Sequence, residues 1–161
     1  MLDPIDGTKG FISNGQFAIG LAYIHHGRPV LGVIGAPNFP YDELYHTQEE
    51  WNKCHDDAGC VVVGIDDEER AAVMYDLHSN RSKRLQCSSL HPLFGAICSR
   101  QKVNHTATYG EIMNKLHLPD TVLEIDSMCK YIAVIVGVAS IYVRENAHGA
   151  YRVVVIGERH D

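Results

Sequence analysis

Met1-Leu2-Asp3-Pro4-Ile5-Asp6-Gly7-Thr8-Lys9-Gly10-Phe11 is the stretch from which the rest of the chain is best read. Asp3 and Asp6 are carboxylates three residues apart. Pro4 fixes its own φ and pushes Asp3 toward an extended conformation. Asp6-Gly7 is a turn dipeptide, with Gly free to take φ > 0 and expose its N–H, and Thr8 adds a hydroxyl beside it. A strand ending in such a turn gathers two hard oxygen ligands, the Ile5 carbonyl and a donor pair around one point. That donor set suits Mg²⁺, which takes carboxylates, waters and phosphate oxygens rather than an all-protein cage. The same residues also suit an ordinary Asx turn after a strand.

The full string Asp3-Pro4-Ile5-Asp6-Gly7-Thr8, with Phe11 three residues on, resembles the signature of the lithium-sensitive, magnesium-dependent phosphatases. Inositol monophosphatases and 3'(2'),5'-bisphosphate nucleotidases belong to that family. The resemblance implies a layered α/β fold of the sugar-phosphatase (inositol monophosphatase-like) type. It also implies Mg²⁺ as cofactor, with Asp3, Asp6 and the backbone carbonyl of Ile5 as metal ligands. Gly7 and Thr8 would hold the phosphate, and Asp6 and Thr8 would be the catalytic pair. Leu31-Gly32-Val33-Ile34-Gly35-Ala36-Pro37-Asn38 also resembles the family, where a strand ends in a similar Pro-Asn turn.

Length and composition agree with a folded domain. The 161 residues are 45% hydrophobic and 21% charged, enough for one domain with a core. A formal charge of -6 gives no reason to expect nucleic-acid binding, while a local basic site for a phosphate stays open. No apolar run reaches the length of a membrane span, and no secretion signal opens the chain. The five cysteines are odd in number and include no C-x-x-C pair, so a reducing, cytoplasmic setting is expected.

Working outward, residues 16–36 read as a β-hairpin. Gln16 to Ile24 carries apolar residues on both faces, as a buried strand does, with His26-Gly27-Arg28 the turn and Val30 to Ile34 the return strand. Tyr41 to Tyr45 reads as a short strand, Gln48 to Asp57 as polar and exposed, and Cys60 to Ile65 as a strand. Asp66-Asp67-Glu68-Glu69-Arg70 is a charge run, expected in a solvated loop or helix start. Residues 76–104 lack periodicity and read as loop with a short helix near Phe94 to Cys98. Tyr109 to Leu116 reads as a helix stopped by Pro119, with Ile112, Met113 and Leu116 on one face. Strands are expected at Thr121 to Ile125, Ala139 to Val143 and Tyr151 to Ile156.

Between the first two of these, Asp126-Ser127 offers an N-cap to a helix over Met128 to Val138. Ser127 and Lys130 fall in its first turn, where a cation opposes the helix dipole unless an anion lies beside it. Arg144, at the end of the next strand, could fork onto the same phosphate. Plain surface charges are the competing reading of Lys130 and Arg144. The pattern Asp126-Ser127-x-x-Lys130-Tyr131, then Gly137-x-Ala139-x-x-Tyr142-x-Arg144, resembles the bisphosphate nucleotidase branch. It implies that Ser127, Lys130 and Arg144 bind the nucleotide. His105-Thr106 resembles the family's His-Ser segment against the nucleotide, although Tyr109-Gly110-Glu111 departs from its usual polar run.

Two elements of the family pattern do not occur within residues 1–161. A metal-binding Glu-Glu and a water-positioning Asp precede the Asp3–Thr8 motif in the family, and a Trp-Asp follows the Tyr-x-Arg strand. The expectation is therefore one partial phosphatase domain over 1–161, weakly active or inactive when isolated. The small-molecule partner implied is a nucleotide bisphosphate, adenosine 3',5'-bisphosphate, hydrolysed to AMP and phosphate. A catalytically inactive remnant and an inositol phosphate phosphatase are the alternatives.

Overall fold

The computed structural model describes residues 1–42, 44–66, 72–85, 93–99, 106–145 and 151–155. The chain divides into two compact units, residues 1–86 with 127–129, and residues 87–126 with 130–161.

The first unit is built on an antiparallel meander of strands β1 (Leu2–Asp6), β2 (Ala18–His25), β3 (Arg28–Ala36), β4 (Cys60–Ile65), β5 (Ala72–Asp76) and β6 (Ser82–Leu85), adjacent in that order. The β2–β3 hairpin closes as the sequence suggests. His25 pairs with Arg28, and His26 and Gly27 take φ of 48° and 77°. Two positive φ values in a two-residue loop match the right-handed twist of the flanking strands. A one-turn helix, α1 (Thr8–Ile12), follows β1.

Cross-strand register sorts the side chains into two faces. Ala18, Gly20, Ile34, Val62, Cys60 and Met74 share one face through their pairings, and Ala18, Cys60 and Met74 are fully buried there. The opposite face carries Leu2, Ile19, Leu21, Tyr23, Val33, Val63, Ile65 and Tyr75. The expectation that β2 is buried on both sides fails here: Ile19, Leu21 and Tyr23 are 41%, 46% and 58% exposed. Apolar residues at successive positions say that both faces are apolar, not that both are covered. A contiguous apolar sheet face of this width is an association hazard. The 161-residue chain is expected to self-associate in size-exclusion chromatography with light scattering. Leu21→Lys combined with Tyr75→Lys should shift it toward the monomer. A monodisperse monomer from the unsubstituted chain would contradict this.

Two other expectations in this unit are corrected. Tyr41 to Tyr45 forms no strand among its described residues. Gln48 to Asp57 is not simply exposed, because α2 (Gln48–Trp51) turns Trp51 inward to 1% exposure. Trp51 packs on Phe39 and Tyr45, ring centroids 5.1 Å away in each case, and its indole N–H donates to the Tyr45 carbonyl at 2.9 Å. A reciprocal Thr47–Glu50 capping box starts the helix. Polar neighbours hid one large anchoring side chain. Nearby, Arg81 joins Asp42 and Asp76, with closest contacts of 2.7 and 2.6 Å. The Ser79 hydroxyl, the His78 amide and Arg81 together hold the Asp76 carboxyl down at about 2.

The second unit has a four-stranded mixed sheet in the order β10 (Tyr151–Val155), β9 (Ala139–Glu145), β7 (Phe94–Cys98), β8 (Val122–Glu124). β7 is parallel to both β8 and β9, while β10 is antiparallel to β9. Helices α3 (Thr106–Lys115) and α4 (Cys129–Ile135) complete the elements. The helix expected near Phe94 to Cys98 is a central strand with every residue buried. Five apolar residues in a row do not distinguish a buried helix turn from a parallel strand with both faces covered. The expected loop over 76–104 likewise contains β6. In α3, Met113 is buried and packs with Ala96, Cys98 and Ile141, while Leu116, just past the helix end, is 36% exposed. No helix among the described residues is long and apolar enough to cross a membrane. Of the charge run, only Asp66 lies within the described residues.

Candidate active site

The decisive local feature is a β-bulge in β1. Asp3 pairs with Gly20 and Asp6 with Ala18, so Pro4 and Ile5 together oppose the single residue Ile19. In a regular strand, residues three apart point to opposite faces. One extra residue reverses that parity. Gly20 and Ala18 are two apart on β2 and share a face, so Asp3 and Asp6 share it too. Pro4 is suited to this place, having no N–H to lose from the ladder. Asp3 is exposed and Asp6 half-buried.

After Asp6 the chain turns sharply. Gly7 has φ 84°, and a Cβ on it would lie 2.6 Å from the Cβ of Ser127. Gly is required here both by backbone conformation and by space. Thr8 opens α1 and is exposed. The Ser127–Cys129 segment belongs to the same unit and meets this turn. The Met128 amide donates to Asp6 Oδ2. The Cys129 thiol lies 3.3 Å from the Phe17 carbonyl. Met128 Cε occupies the space a Cβ on Gly20 would take, 2.4 Å from its position. Sequence reasoning missed Met128 and Gly20. The only available signals were Pro4 inside a strand pattern, which marks a bulge, and a Gly in a strand, which marks a close approach.

Ser127 lies two residues before the helix begins at Cys129 and takes an unexpected conformation. Its hydroxyl accepts the Cys129 amide at 3.2 Å, its φ is 72°, and it is 5% exposed. The helix runs Cys129–Ile135, shorter than Met128 to Val138, because Val138 N–H returns to the Ala133 carbonyl around Gly137 at φ 79°.

In the second unit, Lys130 is buried at 6% exposure, which excludes the plain surface charge. Its ammonium donates to the Ile125 carbonyl at 3.1 Å and lies 5.6 Å from the centroid of the Tyr142 ring. Protein groups thus answer the cation in the helix's first turn, which the sequence alone assigned to a bound anion. Arg144 stands in β9 opposite Arg152 of β10. His105 lies outside the described residues.

The residues around the bulge match a hard divalent cation in kind. Two carboxylates each binding through one oxygen, with one carbonyl, supply three protein oxygens, and Mg²⁺ keeps waters and substrate phosphate in its other positions. Among the described residues no group of three or more His, Cys, Asp or Glu is placed to hold a metal.

Comparison with known proteins agrees with this architecture. Residues 1–151 match the model of the inositol monophosphatase family. The chain belongs to this family. It is 33% identical over 150 residues to 3',5'-bisphosphate nucleotidase 2 of Arabidopsis thaliana, covering 92% of this chain and 42% of the relative. It is 32% identical over 148 residues to a 3'(2'),5'-bisphosphate nucleotidase of Schizosaccharomyces pombe, covering 89% of this chain and 39% of the relative. The chain thus spans about two-fifths of the length of these curated relatives. Among solved structures it is similar to CysQ from Bacteroides thetaiotaomicron, a bacterial member of the family, with TM-score 0.57 and 22% identity over 90% of this chain and 51% of that one. That likeness establishes the layered α/β fold.

Proposed function

We propose that residues 1–161 carry the metal- and phosphate-binding portion of a Mg²⁺-dependent phosphomonoesterase of the 3'(2'),5'-bisphosphate nucleotidase type. The observation that supports this most is the bulge that turns Asp3 and Asp6 onto one face beside a Gly7-Thr8 turn. The similarity to relatives named bisphosphate nucleotidases supports a nucleotide bisphosphate as the substrate class. The substrate would be adenosine 3',5'-bisphosphate, and the products AMP and phosphate.

In this reading Asp3, Asp6 and the Ile5 carbonyl hold the cation. Bound there, Mg²⁺ would activate a water and neutralise charge on the phosphoryl oxygens. Asp6 keeps its carboxylate oriented by the Met128 amide. The Gly7 N–H and the Thr8 hydroxyl orient the phosphate. His105, Ser127, Lys130 and Arg144 recognise the rest of the nucleotide. For Lys130 this requires the ammonium to serve substrate while engaging Ile125. The Ser127 hydroxyl accepts from the Cys129 amide, which leaves its O–H free to donate to a phosphate oxygen. Four described cysteines are free thiols, in keeping with a cytoplasmic setting. The inositol phosphate reading differs in needing no second anion site.

Arg144 separates the two. A charged hydrogen bond to phosphate is worth roughly 1.5–3 kcal/mol, about tenfold or more in binding. In the longest reading frame containing residues 1–161, Arg144→Ala should raise KM for adenosine 3',5'-bisphosphate by that factor and leave hydrolysis of an inositol monophosphate nearly unchanged. Equal loss on both substrates favours the inositol branch.

A further inference from the structure

We propose that the Ser127-Met128 step is a positioning device for Asp6, acting through backbone rather than through the Ser127 hydroxyl. The inference rests on the reading of Asp6 as a cation ligand. Three observations in the first unit carry it. The Met128 amide donates to Asp6 Oδ2, fixing one carboxylate oxygen. That amide points at Asp6 because Ser127 sits at φ 72°, a conformation uncommon for a residue with a Cβ. Gly7, next to Asp6, leaves room for the Ser127 Cβ, and Gly20 leaves room for the Met128 methyl. The segment is thereby seated at both ends. The Ser127 hydroxyl is turned the other way, onto the Cys129 amide. A carboxylate already ordered by a backbone donor loses less freedom when a cation binds. Such outer partners of metal ligands typically change affinity by about 10–100-fold.

Two substitutions separate backbone from hydroxyl. Ser127→Gly removes the hydroxyl and accepts positive φ freely; Ser127→Val removes it and resists positive φ. Mn²⁺ is the probe, its uptake by the 161-residue chain followed by electron paramagnetic resonance. We expect Ser127→Gly to bind within about threefold of the parent and Ser127→Val to bind about 10–100-fold more weakly. Equal weakening in both variants would assign the effect to the hydroxyl and overturn the proposal. A second measurement holds even if Ser127→Val folds poorly. Hydrogen exchange of the Met128 amide should speed up at least tenfold in Asp6→Ala, and unchanged protection would overturn the proposal. A parent chain that takes up no Mn²⁺ overturns the metal reading of Asp6 and with it the cation role proposed for the step. The amide exchange then still decides whether Met128 holds Asp6.

Discussion

Asparagine at Asp6 is expected to remove about a thousandfold of any Mg²⁺-dependent phosphate release while leaving the fold in place. The substitution is nearly isosteric. Its amide oxygen still accepts the Met128 N–H, so the turn at Gly7 and the seat of Ser127–Cys129 survive. What is lost is the negative charge. Mg²⁺ is a hard ion that gives up water reluctantly, and a neutral amide oxygen replaces a carboxylate poorly. Metal-assisted stabilisation of a phosphoryl transition state is worth several kcal/mol, and each 1.36 kcal/mol is a factor of about ten. Phosphate release from adenosine 3',5'-bisphosphate at millimolar Mg²⁺, in the longest reading frame containing residues 1–161, reads the effect. A variant retaining a tenth of parental turnover would show that Asp6 holds no essential cation. A variant whose melting temperature collapses would show that the carboxylate's charge supports the fold instead.

Alanine at Gly95 should be the most damaging single methyl in the described structure of the second unit. Gly95 lies in β7, with a parallel neighbour on each side. A Cβ there would sit 1.9 Å from the Pro119 carbonyl oxygen and 2.8 Å from the Met113 sulfur. The methionine can rotate away. The Pro119 carbonyl is backbone, close to the ladder bond from the Gly95 N–H to the Thr121 carbonyl at 2.9 Å. Relief therefore requires β7 or the 119–121 segment to move, and strained insertions of this kind cost about 3 kcal/mol or more. Gly32→Ala in β3 is the control, since nothing lies within 4 Å of its added methyl. Urea denaturation should show Gly95→Ala losing most of its stability and Gly32→Ala changing it by less than about 1 kcal/mol. Equal midpoints for the two variants would refute the steric argument.

These two cases mark the division between what sequence and structure decide. Local structure was legible in the residues. The Asp3–Thr8 string pointed to a strand ending in a glycine turn, His26-Gly27 to a hairpin, and Cys60 to Ile65 to a strand, because each depends on backbone preference or period within a few residues. Family and layered fold followed from motif strings of the same local kind. Long-range partners were not legible. That Phe94 to Cys98 is the middle of a parallel sheet depends on Val122–Glu124 and Ala139–Glu145 flanking it. That Lys130 is answered by Ile125 and Tyr142 depends on a fold that buries it. Above all, the sequence placed Asp3 and Asp6 three apart, a spacing that in a regular strand sends them to opposite faces. Pairing with Ala18 and Gly20, and the bulge that pairing creates, brings them to one side. A residue's facing in a sheet is set by its register with a neighbouring strand, and register is a property of two segments that no single stretch contains.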